Sequence, residues 1–245
     1  MSRVAFEWAL RDTLQGPRGI VLVAAALIPT VFILIIALTE SPVPAREAPR
    51  VAAVVLTTFV FPGLVALLAI VAGGTVLRQP LEDGTLVYFM TRPAKRMWIG
   101  IARGAAAGTA VGALAVLCGV ALIIPLGQPG IVFSAVPGLF VGGFALGVLY
   151  GLILSLHRYA LGIAIIHAVL ESALSRLPFA SLRNLTVSWH SWGLMGRAAD
   201  EAAKVGVIPG DGGSGVIAIL YALVFLAITG FYYSVRPFTL GVAEG

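Results

Sequence analysis

Long, uninterrupted apolar runs constrain this chain more than any motif does. Runs of spanning length lie at about 19–38, 51–77, 98–125, 131–155 and 216–235, and a shorter one at about 159–175 carries Glu171 near its end. The hydrocarbon core of a bilayer is about 30 Å thick and takes about 20 helical residues to cross. Backbone N–H and C=O groups cannot stay unpaired in that medium, so runs of this kind are expected to be helical. A transmembrane β-barrel would need short segments that alternate in polarity, and these runs do not alternate. The expected fold class is an all-α integral membrane protein with six transmembrane helices in a single domain, 1–245.

Composition agrees. Hydrophobic residues make up 59% of the chain and charged ones 11%, whereas soluble domains carry about a quarter charged residues. So few charges cannot cover a soluble globule. Sixteen basic residues stand against eleven acidic ones. In a membrane chain that excess speaks first of topology, and no nucleic-acid partner is expected. Cys118 is the one cysteine and lies in an apolar run, which excludes disulfides and Cys-based metal sites within the chain. The first eighteen residues hold Arg3, Glu7, Arg11, Asp12 and Arg18, and the run after them is too long for a signal core, so no cleavable signal peptide is expected.

Residues 1–18 form an expected interfacial elbow. Within 2–14, Phe6, Leu10 and Leu14 recur at four-residue spacing, Val4 and Trp8 lie close by, and charges fall between them. Ser2 is a candidate cap and Gly16-Pro17 a stop. Such a helix would lie in the plane of the membrane surface; the alternative is a disordered tail. Six spans place both termini on one side. The side holding the termini, the loop at 78–97 and the turn at 156–158 carries ten basic residues and the other side six. This bias predicts a multi-pass protein of the cell membrane with both termini cytoplasmic.

The segment 176–215 then lies outside. Its first half, 177–195, is apolar and contains Trp189 and Trp192, which predicts a re-entrant or interfacial helix. Its second half reads as a loop with one short helix around 196–205. Two spans carry glycines one turn apart: Gly104, Gly108 and Gly112 in the third, and Gly143, Gly147 and Gly151 in the fourth, with Gly138 and Gly142 beside them. Helices in lipid associate where small residues let backbones approach, so each of these spans is expected to press a flat face on a neighbour. Chance is the alternative, since the chain has 29 glycines. Pro29 and Pro62 lie inside spans one and two, where each removes a donor and favours a kink. Arg103, one turn into span three, is expected to snorkel back to the interface.

The loop at 77–98 is the most distinctive stretch. Glu82 and Asp83 precede Gly84-Thr85; the apolar stretch 86–90, opened by Leu86, follows; then come Arg92-Pro93 and the pair Lys95-Arg96. This pattern reads as a short helix with acids near its start, a proline-enforced turn and basic anchors. Its apolar content predicts docking on the membrane surface or on a partner protein. The alternative is a plain topogenic loop.

On Glu82, Gly84, Thr85, Leu86, Arg92, Pro93 and Arg96 the loop resembles the one between the second and third spans of ABC-2 type transporter permeases. The N-terminal interfacial helix, the six spans and the mixed segment before the last span are also similar to that family. The resemblance implies that 78–97 is a coupling loop, with Glu82, Asp83, Gly84, Thr85, Leu86, Arg92, Pro93 and Arg96 seated in a groove of a separate ATP-binding subunit. The chain contains no Gly-x-x-x-x-Gly-Lys-Ser/Thr phosphate loop, so ATP and its magnesium would be held by that partner. No cofactor is expected in this chain, and the chain itself is not expected to be an enzyme. A second permease copy or a paralogue would complete the pore, and the substrate would be a small hydrophobic or amphipathic molecule, exported.

His167 and Glu171 are four residues apart and share a helix face, with Arg176 just beyond. Ionisable groups inside a span are candidate functional residues. Three readings stay open for the pair: a structural polar pair, part of a substrate path, or a catalytic or metal-binding pair. The third would make the chain an intramembrane enzyme, although a His-Glu-x-x-His run and a paired-Glu motif are missing. A membrane scaffold without transport activity is the remaining alternative.

Overall fold

The computed structural model describes residues 2–14, 17–39, 44, 46–78, 96–157, 159–209 and 213–235. Ten helices lie among them: α1 (Ser2–Leu14), α2 (Pro17–Thr39), α3 (Ala48–Arg78), α4 (Arg96–Ile123), α5 (Pro129–Leu156), α6 (Ala160–Leu174), α7 (Ala180–Arg183), α8 (Val187–Trp192), α9 (Arg197–Lys204) and α10 (Gly215–Val235). No strand occurs among the described residues.

Four helices are long and apolar enough to cross a membrane: α3, α4 with the 3-10 turn that ends it, α5 and α10. Sequence alone suggested six. Helix α2 runs for 23 residues, with Gly19–Ile28 as its described apolar stretch. Helix α6 has 15 residues, a rise of about 22 Å against a hydrocarbon core of about 30 Å. Large apolar side chains face outward along these helices, among them Ile20, Ile28, Ile166, Val169, Leu220 and Phe231.

Helices α4 and α5 form the centre as an antiparallel hairpin. Their connection is short for a clear reason: Gly127 adopts φ 66° and closes the 3-10 turn with its N–H on the Ile124 carbonyl. A left-handed residue at a helix end is glycine's ordinary place. Pro129 then opens α5, where its missing N–H is no loss. The expected small-residue faces meet each other here. A Cβ added to Gly143 would lie 3.0 Å from the Cα of Gly112, and one added to Gly147 would lie 3.0 Å from the Cα of Gly108. Gly151 serves a different neighbour, since a Cβ on Gly73 of α3 would sit 2.5 Å from its backbone nitrogen. Gly138 and Gly142 press on Met195, Ser191 and Phe61.

Helix α3 is wound unevenly. Val55–Leu64 and Gly74–Arg78 are π-helical, and the N–H of Val65 bonds to the carbonyl of Val60, five residues back. Pro62 lies inside the first stretch. Without an N–H it cannot make the α-helical bond to the Thr58 carbonyl, and here the disruption takes the form of a widened helix.

Helix α1 lies along α4. Ala5, Ala9 and Thr13 are buried there, while Val4, Trp8 and Leu14 stay exposed. Phe6 and Leu10, partly buried, pack beside the small residues, and Val4 and Leu14 face outward.

The segment after α6 carries its aromatic pair inward. Trp189 and Trp192 are buried in α8, with Trp192 at 0% exposure, so their rings meet neighbouring helices of the protein. Their rings stack edge to face at 6.2 Å, and the Arg183 guanidinium lies 4.3 Å from the Trp189 ring centre. Thr186 caps α8, accepting from the Trp189 N–H at 3.3 Å. The helix packs inward against α5, whose Gly138 and Gly142 leave room for it. The short helix expected around 196–205 is α9, which buries Ala198, Ala199 and Ala202.

Candidate functional site

Most of the expected coupling site lies outside the described residues: Glu82, Asp83, Gly84, Thr85, Leu86, Arg92 and Pro93 all fall within 79–95. Arg96 is the exposed first residue of α4. The base of the loop, however, is described. Arg103 reaches back from α4 and donates from Nε to the Val76 carbonyl at 2.8 Å. The Tyr233 hydroxyl of α10 donates to the adjacent Leu77 carbonyl at 3.1 Å. Val76 and Leu77 belong to the second π-helical stretch, at the C-terminal end of α3, where carbonyls lack partners within the helix. The Arg103 guanidinium also lies 5.3 Å from the Trp8 ring centre of α1. Three helices therefore converge on the last turn before the loop.

Arg103 does not snorkel. It is 2% exposed and committed to a backbone acceptor. The neighbouring helix end supplies a polar target nearer than water, so the side chain turns inward. This role leaves no motif in the sequence, because the acceptor is a carbonyl and not a side chain.

His167 and Glu171 share one face of α6, and each bonds to a different element. His167 Nδ1 lies 3.2 Å from the hydroxyl of Tyr150 on α5, with the two rings edge to face. Glu171, 6% exposed, accepts from the backbone N–H of Ser188 at 2.7 Å. That N–H belongs to the first turn of α8, so the carboxylate satisfies a donor left over at a helix start. The pair thus ties α6 to α5 and α8. No group of three or more His, Cys, Asp or Glu residues able to hold a metal ion occurs among the described residues.

Arg176, just past α6, is half-buried. Its Nη2 lies 3.4 Å from the Thr58 carbonyl, beside the break that Pro62 makes in α3. Its Nε is buried and without a hydrogen-bond partner. Burial pulls this guanidinium below its ordinary pKa. A groove of about 580 Å³ between α3 and α6 ends at Arg176, and a second cavity of about 470 Å³, lined also by Arg183, begins there. Sequence reasoning placed Arg176 near the pair but gave it no contact; the groove follows from the fold alone. No protein-family model, no curated protein and no solved structure matches this chain.

Proposed function

We propose that this protein is the membrane-embedded permease subunit of an ABC-2 type transporter, with α2, α3, α4, α5, α6 and α10 as six spans and both termini in the cytoplasm. ATP hydrolysis would belong to a separate subunit docked on 78–97, and a second permease copy or paralogue would complete the pathway. A small hydrophobic or amphipathic molecule is the exported substrate.

One observation supports this reading above others. The turn that leads into the loop is held by Arg103 from α4 and Tyr233 from α10, with Trp8 of α1 against the Arg103 guanidinium. A loop fixed at its base to several helices can pass a push from a bound partner to the bundle, whereas a loop hinged on one helix would absorb it. Helix α1, with small residues toward α4 and Val4 and Leu14 outward, suits a membrane surface on the same side.

The geometry favours the enzyme alternative less. A buried Glu171 oxygen bonded to a backbone N–H, and a His167 nitrogen occupied by Tyr150, make a poor acid–base pair.

A mild-detergent pull-down of the full chain from its native host, with mass spectrometry of what accompanies it, tests the proposal. A stoichiometric partner carrying a phosphate-loop ATPase sequence is expected. If no ATPase accompanies the chain across several detergents, the permease reading fails.

A further inference from the structure

We propose that the groove between α3 and α6 binds one anionic lipid, its acyl chain along the groove and its headgroup on the Arg176 guanidinium. The inference rests on α3 and α6 lying in the membrane, which belongs to the proposed function, and does not depend on transport or on an ATPase.

The groove is apolar along most of its length. Gly63 and Leu67 of α3 face Ile165 and Val169 of α6 across it. A Cβ added at Gly63 would meet nothing within 4 Å, so the space beside that residue is open. At one end the character changes abruptly, with Arg176 closing the groove after Ser172. A volume of about 580 Å³ with one apolar course and one cationic end has the shape of an amphiphile, not of a compact polar solute.

The charge selects the headgroup. Arg176 makes no ion pair with a carboxylate among the described residues; its contacts are the long bond to Thr58 and an Nε with no acceptor. A guanidinium offers donors in a fork that fits phosphate oxygens. Beyond it, the cavity of about 470 Å³ gives a headgroup room and presents Arg183 as a second cation. A zwitterionic headgroup would bring its own positive charge beside these two.

The test uses the full chain purified in detergent, with native mass spectrometry of retained lipid. The probes are phosphatidylglycerol and phosphatidylcholine with identical acyl chains, and inorganic phosphate as competitor. One phosphatidylglycerol should be retained with about tenfold preference over phosphatidylcholine. Arg176→Gln should abolish the preference. Gly63→Leu, which fills open space, should reduce retention of both lipids while the circular dichroism spectrum and melting temperature stay unchanged. Equal retention of the two lipids by the unmodified chain would overturn the headgroup assignment. Displacement of phosphatidylglycerol by millimolar phosphate would reduce the site to a simple anion site and overturn the lipid. Conversion of a dimer to a monomer by Gly63→Leu, with lipid retention intact, would assign the groove to a second copy. An ATPase missing from the pull-down would leave all of these outcomes unaffected.

Discussion

Arg103 of α4 and Val76 of α3 are joined by a 2.8 Å hydrogen bond from guanidinium Nε to main-chain oxygen, and the arginine is 2% exposed. A buried cation is costly unless its donors are used, and the π-helical end of α3 offers carbonyls that the helix itself does not fill. The bond therefore serves both partners. It also lies directly before the loop that would meet an ATPase.

Replacing Arg103 with Met keeps most of the stem's packing and removes the donors. The Val76 carbonyl then loses a charge-assisted bond, and we expect a loss of about 2 kcal/mol. Thermal unfolding in detergent should show a lower melting temperature, and the Trp8 emission should shift as its cation neighbour disappears. An unchanged melting temperature together with unchanged Trp8 emission would mean that the Val76 bond contributes nothing.

The α4–α5 contact should tolerate almost no added volume. A Cβ on Gly108 would sit 2.8 Å from the Phe144 carbonyl oxygen, and one on Gly112 would sit 2.7 Å from that of Phe140. Both obstacles are backbone, so the helices must separate. Gly108→Val and Gly112→Val are each expected to cost about 1–3 kcal/mol, whereas Gly63→Ala should stay within about 1 kcal/mol of the parent. Melting temperatures of the three variants in one detergent decide this; equal values would show that the interface is softer than its geometry.

Glu171 should matter through its oxygen and not through its charge. Glu171→Gln retains an acceptor for the Ser188 N–H, and Glu171→Leu does not. We expect the first to behave like the parent and the second to lose about 1–3 kcal/mol, with faster amide exchange across 187–192. If Gln and Leu were equally disruptive, the ionised carboxylate would have a role beyond holding α8.

The coupling assignment makes a separable prediction. Glu82→Lys or Gly84→Trp should remove the co-purifying ATPase and abolish transport without lowering the melting temperature of the isolated chain. Normal ATPase binding and transport in both variants would sink the assignment.

How much of this was legible beforehand depended on whether the signal was local. Helicity, the extents of α3, α4, α5 and α10, the glycine faces and α9 all follow from periodicity and composition within one segment. The inward packing of Trp189 and Trp192 was not legible, because an aromatic pair in an apolar stretch looks the same whether it faces lipid headgroups or a neighbouring helix. Thr186 was the available clue: a threonine three residues before the Trp189 that it caps marks a helix start, which was missed. The partners of Arg103 and Glu171 are main-chain groups from distant segments, Val76 and Ser188. Every residue carries such groups, so no side-chain pattern announces them.

The π-helical winding of Val55–Leu64 bears on how this protein tolerates changes in length. Each wide turn takes one residue more to close than an α-turn does. Loss of a single residue inside that stretch can be absorbed by rewinding one turn, with both flanks keeping the faces they now present. The same loss between Gly104 and Gly112 has no such outlet. It would rotate the glycines on one side of the gap by about 100° against those on the other, and some of them would leave α5. Deletions are thus survivable in one membrane helix and ruinous in its neighbour, a difference set by winding rather than by hydrophobicity.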